Sequence, residues 1–540
     1  MTMSLSFRRR ARIAAVLLAT MLGTARGQEV PTVGSPTSDS VIARIYQEGM
    51  KGSNAYRLAQ TLMDSIGPRL TGSPQNRAAN DWLVKTYTQW GIPARNEKYG
   101  TWLDWARGQS RVELVSPRAR TLEATQLAWS PATAAGGVTA EAVSIPGARE
   151  APDEAAFSRW LKTVRGKFVL ISPPQPTCRP DTNWNAWAPP ATYAAMRAAR
   201  DTALMQWRQH FTQMGVNARS LAALLDDAGA AGVLSASWSG GWGVDKIFAA
   251  RTRVVPSFDV SCEDYGLLAR LAQNNQHPVV HAVAESKLAT GESPVFNTLA
   301  EVKGGEKPNE YVMLSAHLDS WDGGSGATDN GTGTIIMLEA MRILHAAYPH
   351  PRRTILAGHW SGEEQGDIGS SAFAADHAPV IDGLHDLFNQ DNGTGNIDKV
   401  VTAGFLDAPS HFARWMSQMP EDVWRGTALE FPGYAHDEST DSDAFACRNA
   451  PGFFLNSADW DYNDYTWHTN RDTFDKISFD EIRKNATFVA MLVYEASEDP
   501  VKMGRERRIP ALEAATGKVI DVPTCAAPPR SYKESLTKGR

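Results

Sequence analysis

The chain has 540 residues, of which 42% are hydrophobic and 21% charged, an ordinary balance for a globular protein. At roughly 150 residues per domain, this length allows two to four domains with a large core. The formal net charge of −6, without a long run of like charge, argues against a nucleic-acid-binding protein with a basic stripe. The 43 glycines and 31 prolines are ordinary fractions, which excludes collagen-like and low-complexity chains.

The N-terminus has the features of a secretory signal peptide. Four arginines between positions 8 and 12 precede an apolar run over residues 13–23, which is too short to span a bilayer. Residues 25–27 (ARG) supply a small-x-small cleavage site, so we expect residues 1–27 to be removed. The alternatives are a buried N-terminal helix and twin-arginine export. The mature chain has 49 basic and 60 acidic residues, a net charge of −11, and we expect it in the periplasm or outside the cell, without a membrane span.

The four cysteines are Cys178, Cys262, Cys447 and Cys525. They admit three disulfide pairings in an oxidising compartment, and the sequence does not choose among them. None forms a C-x-x-C pair, which argues against a cysteine metal site.

The chain divides by its pattern into several segments. Residues 55–66 have a helical pattern that ends at Gly67-Pro68. Strand-like runs at 138–145, 168–171, 233–234 and 254–256 alternate with a helical run at 221–228, without a cluster of candidate ligands.

Two other segments have less regular patterns. The tryptophan-containing stretch 180–215 is a lid or a packing appendage, and the appendage is favoured because aromatic residues at helical spacing are usually core. The polar tail after about residue 510 is expected to be poorly ordered.

From about residue 296 to 496 the pattern is strand, loop and helix, repeated. Apolar strands are predicted at 312–314, 354–357 and 384–389, with an amphipathic helix at 334–344 that has its apolar residues on one face. Such alternation predicts a largely parallel sheet covered by helices. Ligands of such sheets bind beyond the carboxyl ends of the strands.

Candidate ligands follow successive predicted strands. They are His317, Asp319, Asp329, Glu363, Glu364, Asp391 and, with the least certain place on the sheet, His468. Two imidazoles and several carboxylates suit zinc, although cobalt or manganese would fit similarly. Five ligands are too many for one catalytic zinc and fit two metals that share a carboxylate, about 3.5–4 Å apart.

Each candidate also has an ordinary structural interpretation. A lone His-x-Asp is a weak signal, paired glutamates in a loop are usually solvated, and Asp before Asn-Gly often forms a turn. The joint pattern is far less expected by chance. The histidines at positions 345, 350 and 359 fall on a predicted helix, beside prolines and inside a strand, and we interpret them as structural.

Several motifs together resemble metallopeptidase family twenty-eight, the co-catalytic di-zinc exopeptidases, and most of all its carboxypeptidase Q branch. The matching stretches are DSIGPRLTGS, SAHLDSWDGGSGATDNGTG, WSGEEQGDIGSSAF, FNQD, HDESTDSDAF and WHTNRDTFDKI. The resemblance covers roughly residues 50–500. It implies an α/β fold, with a mixed, largely parallel sheet sandwiched by helices, of the zinc-peptidase, phosphorylase/hydrolase-like type.

The resemblance also implies an inserted β-rich protease-associated domain, through VRGKFVLIS, DDAGAAGVL and VVPSFDVS. The domains are then a signal peptide (1–27), an N-terminal part of the peptidase domain (28–135), the insertion (136–285), the catalytic domain (286–505) and a C-terminal tail (506–540).

The resemblance assigns roles to individual residues. It implies that two zinc ions are bound, one by His317 and Asp391 and one by Glu364 and His468, with Asp329 bridging, Asp319 orienting His317, and Glu363 as general base. Two positions depart from the family pattern. Asp367 stands where an apolar residue is common, and Asn392 where an apolar or small one is, and we expect only pocket differences from them.

The expected reaction is hydrolysis of short peptides or dipeptides by an exported di-zinc exopeptidase. A metal-bridging water would lose its proton to Glu363, which would pass it to the leaving amine, while zinc polarises the carbonyl. Residues 434–441, with His436, Thr440 and Asp441 as candidate substrate contacts, are expected to line the pocket. They offer both acidic and cationic groups, so they do not decide between a carboxypeptidase and an aminopeptidase.

Two further alternatives are a non-catalytic binding protein and a glutaminyl-cyclase-like acyl transferase on the same scaffold. The full ligand set disfavours the binding protein, and this set with the insertion favours hydrolysis. The expected partners are short peptides and not nucleic acid. A homodimer is compatible with the sequence.

Overall fold

The computed structural model describes residues 38–433, 440–508, 511–512, 519–520, 525 and 527–538. The predicted signal peptide and His436 lie outside the described residues. Among the helices that are described, none combines the length and the apolar composition that crossing a bilayer requires.

The helices alternate with strands along most of the chain. The α-helices are α1 (Ser40–Met50), α2 (Ala55–Gln60), α3 (Pro74–Gln89), α4 (Glu154–Leu161), α5 (Asp181–Trp187), α6 (Pro190–Gln213), α7 (Ala218–Ala228), α8 (Cys262–Gln273), α9 (Thr332–Ala347), α10 (Ile368–Asp376), α11 (Ala378–Gly383), α12 (Ala408–Met416), α13 (Glu421–Trp424), α14 (Asp443–Ala446), α15 (Phe479–Glu498) and α16 (Tyr532–Lys538). Shorter helical turns are Thr61–Ile66, Ala327–Gly331, Tyr462–Thr466 and Phe474–Lys476.

The strands form one large sheet and one small hairpin. They are β1 (Ala94–Ser116), β2 (Arg120–Leu122), β3 (Ala124–Gln126), β4 (Val138–Ser144), β5 (Phe168–Leu170), β6 (Gly232–Ser235), β7 (Ser257–Val260), β8 (Val279–Val302), β9 (Lys307–His317), β10 (Arg353–Trp360), β11 (Leu384–Asn389), β12 (Ile397–Val401), β13 (Ala428–Glu430), β14 (Gly452–Ser457), β15 (Ala511–Leu512) and β16 (Val519–Ile520).

The large sheet has two halves that share strand β8. Its order is β13-β12-β14-β11-β9-β10-β8-β4-β5-β6-β7-β3, and β1 pairs antiparallel with β8. In the first half β10, β9, β11 and β14 are parallel, and in the second half β4 to β7 are parallel. The predicted mixed, largely parallel sheet between helices is confirmed.

The core lies on both faces of the first half because neighbouring strand residues point to opposite sides. Val312 and Leu314 of β9 pack in the cluster that contains α9, whereas Met313 packs with Trp360 and Phe373 on the other face. The predicted helix at 334–344 is present in α9, but its burial is not confined to one face. It is buried around most of its circumference because α1 and α15 cover its outer side.

The second half of the sheet contains the segment predicted as an insertion. Strands β4, β5 and β6 form where the alternation predicted them. Strand β7 begins at Ser257, later than predicted, because the N–H groups of Val254 and Val255 donate to the Asp226 carboxylate instead of a strand. Helices account for more of residues 136–285 than strands do. The boundaries at 136 and 285 stay a prediction, since β8 runs without a break through both halves.

The tryptophan-containing stretch forms α5 and α6 and is poorly buried. The Trp187 side chain is 83% exposed, and Met196 and His210 are the buried residues of α6. The expectation that these aromatic residues are core is therefore wrong for Trp187. Helical spacing of aromatic residues does not reveal whether another element faces them.

The C-terminal tail is folded over residues 527–538, contrary to the predicted disorder there. Arg530 pairs with Asp376, its carbonyl accepts the N–H of Thr101 at 3.0 Å, and the Tyr532 ring lies 5.5 Å from that of Trp102. Disulfides join Cys178 to Cys262 and Cys447 to Cys525, one of the three pairings left open by the sequence.

His359 is the penultimate residue of the buried strand β10, inside a strand as the structural interpretation expected. Its Nε2 lies 2.7 Å from the hydroxyl of Tyr87 on α3. Burial lowers the pKa of His359 to about 3 because the surroundings disfavour the imidazolium ion.

This pKa predicts an acid-sensitive contribution of His359 to stability. The contribution is fully present above pH 6.5, the ordinary pKa, and is lost as the pH falls from 6.5 toward 3. From pH 6.5 to 5.0, the unfolding free energy of His359→Asn should gain about 2 kcal/mol relative to wild type. Urea unfolding at each pH measures this, with the exposed His350→Asn as control. A difference between His359→Asn and wild type that is independent of pH would contradict it.

Candidate metal centre

The candidate ligands meet at the carboxyl edge of the first half of the sheet. His317 is the last residue of β9, Glu363 and Glu364 follow the end of β10, and Asp391 follows the end of β11. Asp329 lies in the helical turn Ala327–Gly331 that leads into α9. Because these strands are parallel, their ends deliver the side chains to one edge.

Three of these residues form a first triad. The Nε2 atom of His317 lies 2.7 Å from Asp391 Oδ1 and 3.5 Å from Asp329 Oδ1. One ligand atom from each of the three residues lies within 4.8 Å of the others. The triad thus offers one nitrogen and two carboxylate oxygens around a common point.

A second triad shares Asp329 with the first. The Nε2 atom of His468 lies 3.2 Å from Asp329 Oδ2 and 2.9 Å from Glu364 Oε2. The ligand atoms of Asp329, Glu364 and His468 again lie within 4.8 Å of one another. The two oxygens of Asp329 therefore face different triads.

Asp319 lies beneath the first triad and connects several of its parts. The His317 Nδ1 atom is 3.0 Å from the backbone carbonyl of Asp319 and 3.6 Å from its carboxylate. That carboxylate accepts the N–H of Glu363 at 3.3 Å and the Thr71 hydroxyl at 2.8 Å. The carbonyl, rather than the carboxylate, is thus the nearer partner of the His317 ring.

Buried negative charge dominates the electrostatics of this edge. Burial raises the pKa of Glu363 well above its usual range and that of Glu364 to about 7. Burial opposes the charged form of His468, but the carboxylates of Glu364 and Asp329 outweigh it and raise the pKa of His468 to about 9. Two imidazoles thus compensate part of the charge of a larger set of carboxyl groups.

The donor set fits zinc. Imidazole nitrogen and carboxylate oxygen are its usual ligands when no cysteine is present, and each triad supplies one imidazole with two carboxylates. The buried Glu364 Oε1 atom has no hydrogen-bond partner within the described part of the chain, an arrangement that costs free energy unless a cation is bound.

Arg69 supports the site and was not identified as a site residue from the sequence. Its side chain is fully buried, and its guanidinium donates to the carbonyls of Leu318, Ser325 and Gly326 at 2.6–2.8 Å. These carbonyls flank the loop between His317 and Asp329. The sequence contained one indication of this role, because Arg69 is the only charged residue after the aspartate in the motif DSIGPRLTGS.

Asp472 holds the backbone that carries Asp329. Its carboxylate accepts the N–H of Thr328 at 2.7 Å, the Thr328 hydroxyl at 2.8 Å and the N–H of Asp329 at 3.0 Å. The motif WHTNRDTFDKI contains this residue, but nothing in its spacing distinguishes a carboxylate that holds a backbone from one on the surface.

The candidate substrate contacts have different environments. The Thr440 hydroxyl donates to Asp391 Oδ2 and accepts from the Asn389 amide, so it holds a candidate ligand. Asp441 is fully buried, and neither of its carboxylate oxygens has a hydrogen-bond partner in the part of the chain that the structure describes. Asp367, which departs from the family pattern, has a backbone φ of 52° and lies against Glu363, and burial raises its pKa to about 7.

The chain is similar to several known peptidases. Residues 297–493 match the model of peptidase family M28. Carboxypeptidase Q of Mus musculus is 26% identical over 346 residues, which cover 64% of this chain and 66% of the mouse protein.

Solved structures with a similar fold include a peptidase M28 precursor from Shewanella amazonensis. Its TM-score is 0.64 at 24% identity, covering 86% of this chain and 97% of that one. A second is BSAP, a zinc aminopeptidase from Bacillus subtilis, with a TM-score of 0.55 at 18% identity, covering 84% and 97%.

The contacts of Arg69 predict a large effect on stability. Arg69→Met should lower the free energy of unfolding by at least about 3 kcal/mol, because three buried carbonyls lose their donor. The control Arg77→Met removes a half-exposed ion pair with Asp81 and should cost less than about 1 kcal/mol. Urea unfolding of both variants measures the difference, and equal losses would be inconsistent with this role of Arg69.

Proposed function

We propose that this chain, residues 297–493 of which match peptidase family M28, is a zinc-dependent metallopeptidase with a specific activity. The proposal is that it removes residues from the ends of short peptides or cleaves dipeptides, using two zinc ions. The observation that carries it is the pair of triads that share Asp329.

The proposed ligands divide between the two ions. His317 and Asp391 would hold one zinc, Glu364 and His468 would hold the other, and Asp329 would contribute to both positions. When bound, the two ions lower the pKa of a water molecule and polarise the carbonyl of the scissile bond. The proposal is supported by Asp329, whose two oxygens lie near different imidazoles.

Glu363 is the proposed general base. It follows the same strand as Glu364, and its Oε2 lies 3.6 Å from His317 Nε2, outside hydrogen-bond distance of the first triad. Its carboxylate accepts a proton from the attacking water as the water oxygen bonds to the carbonyl carbon. It then gives that proton to the amine nitrogen as the C–N bond breaks. Burial raises the pKa of Glu363, which is the direction that favours uptake of a proton by a carboxylate.

Two neighbours are proposed to orient the ligands rather than to bind zinc. The backbone carbonyl of Asp319 fixes the His317 ring, and its carboxylate fixes the backbone of Glu363. Thr440 fixes the Asp391 carboxylate. Such partners keep a metal ligand in one orientation and increase metal affinity.

The charges near the centre favour recognition of a substrate amine over a substrate carboxylate. Arg69 and Lys246 approach the site, but each donates to backbone carbonyls. Asp367 and Asp441, in contrast, have buried carboxylate oxygens without hydrogen-bond partners among the described residues. An aminopeptidase, or a dipeptidase that requires a free amine, is therefore the second candidate beside a carboxypeptidase.

Export to the periplasm or the cell exterior is also proposed. The predicted signal peptide is one support, and the two disulfides are another, because disulfides persist in oxidising compartments.

A panel of dipeptides tests the proposed function. Free, N-blocked and C-amidated versions are incubated with the zinc-loaded protein, with and without a chelator. Hydrolysis that the chelator abolishes and zinc restores is expected. Loss of activity on N-blocked dipeptides would identify recognition of the amine, and loss on C-amidated ones recognition of the carboxylate. A zinc-loaded protein without hydrolysis would instead favour the binding protein.

Glu363→Gln should retain both zinc ions and lose about 100- to 10,000-fold in kcat, because the amide cannot accept the proton. The matched control is the adjacent Glu364→Gln, which should lose zinc. Peptide hydrolysis and elemental analysis measure the two effects. Near-wild-type activity of Glu363→Gln would exclude it as the base.

Asp329→Ala should lose both zinc ions, because the bridging carboxylate contributes to each position. Elemental analysis of the purified variant measures the zinc content. Retention of two zinc ions per chain would exclude Asp329 as the bridge.

A further inference from the structure

Residues 243–248, here called the 243–248 loop, contact the segment that contains His468. The loop belongs to the segment predicted as an insertion, for which the sequence pattern indicated no chemical role. The N–H of Ile247 donates to the carbonyl of His468 at 2.7 Å, and Lys246 forms an isolated antiparallel bridge with Thr469. Backbone of the second half of the sheet is therefore bonded directly to a candidate zinc ligand.

Residues before Ile247 in the loop extend this pairing. The carbonyl of Asp245 accepts the N–H of Asn470 at 3.1 Å, and the N–H of Asp245 donates to the Asn470 side chain at 3.0 Å. The guanidinium of Arg471 donates to the carbonyl of Gly243 at 2.7 Å and 3.0 Å. The residues after His468 are thus held along the whole 243–248 loop.

Two side chains of the loop contact the residues next to the zinc position. Lys246, which is 5% exposed, donates to the carbonyl of Trp467, and its ammonium lies 4.1 Å from the centre of the Trp467 ring. The ring of Phe248 lies edge-on to the His468 imidazole, with centroids 5.1 Å apart. The imidazole therefore packs against both Trp467 and Phe248.

His468 needs external support more than the other imidazole does. Its φ is 56°, in the left-handed region that non-glycine residues adopt only when their surroundings impose it. The Nδ1 atom of its ring is buried and has no hydrogen-bond partner. His317, by contrast, ends a central strand, and its ring is oriented by the carbonyl of Asp319.

We propose that Lys246 and Phe248 of the 243–248 loop are positioning residues that hold His468 in the geometry for zinc binding. The zinc position of Asp329, Glu364 and His468 then depends on the second half of the sheet, and the position of His317, Asp329 and Asp391 does not. This inference rests on the proposed two-zinc function. It gives the predicted insertion a role in binding one of the two ions.

Zinc affinity tests the inference on the full mature chain. The wild type, Lys246→Met and Phe248→Ala are equilibrated with buffers of graded free zinc, and zinc per chain is measured by atomic absorption. Each variant should bind one zinc about 10- to 100-fold more weakly and the other unchanged, as expected when a group that orients a ligand is removed. Phe248→Tyr keeps the ring against His468 and should restore the affinity.

A double-mutant comparison identifies which zinc position is weakened. In a His468→Gln background, Lys246→Met should cause no further loss of zinc, because the residue that it positions is already absent. The matched control is Trp187→Ala, which changes an exposed aromatic residue of the same predicted insertion without contact to His468. This control should bind both ions as the wild type does.

The outcomes separate this inference from the proposed function. Unchanged zinc affinities in both loop variants, equal weakening of both ions, or an additive loss in the His468→Gln background would overturn the positioning role. A wild-type chain that binds only one zinc would contradict the two-zinc function. For a chain that binds one zinc, an unchanged zinc affinity in both loop variants would overturn the positioning role. A lower zinc affinity would support it. If Phe248→Ala does not fold, as judged by circular dichroism, Lys246→Met and Phe248→Leu decide the question.

Discussion

Repulsion between buried carboxylates is the constraint on which the site depends. Asp329, Glu363, Glu364 and Asp391 are brought to one edge of the sheet, where burial raises the pKa of Glu363 and of Glu364. Such an arrangement persists only if the surrounding backbone is held firmly and if positive charge is supplied. The imidazoles supply part of that charge, and the donor geometry is suited to divalent cations for the remainder.

The support of the site comes from the backbone rather than from the ligands themselves. Arg69 donates to carbonyls at both ends of the loop between His317 and Asp329, and the Asp472 carboxylate accepts the N–H of Asp329. The Arg69 guanidinium therefore satisfies carbonyl acceptors and the Asp472 carboxylate satisfies N–H donors. Few polar atoms of the turn are left unpaired. This division explains why an arginine and an aspartate that bind no metal are buried beside it.

The sequence predicted the sheet and the meeting of the candidate ligands because both follow from local patterns. Apolar runs such as residues 312–314 and 384–389 mark buried strands, and the residues after them must lie at the carboxyl edge. The supporting residues could not be found in this way. Arg69 acts on carbonyls about 250 residues later in the chain, and no periodicity links such positions.

Other differences between the prediction and the structure also arise from contacts between residues that are distant in the sequence. The full burial of α9 depends on α1 and α15, which are remote in sequence, and the exposure of Trp187 reflects a helix that few elements cover. The pairing of the cysteines was open because any two of them could meet. The sequence indicated no role for the 243–248 loop because the loop has no cluster of candidate ligands. Its contacts with His468 are made largely by backbone atoms.

The long pairing of β1 with β8 has a consequence for how the chain reaches its native state. Ala94 pairs with Ala300, so β1 must wait for a partner that is synthesised about two hundred residues later. Until then its edge is open to wrong pairing with other chains. A polypeptide that crosses a membrane before it folds would therefore benefit from a chaperone that shields this ribbon, and a truncated fragment ending before β8 should aggregate rather than fold.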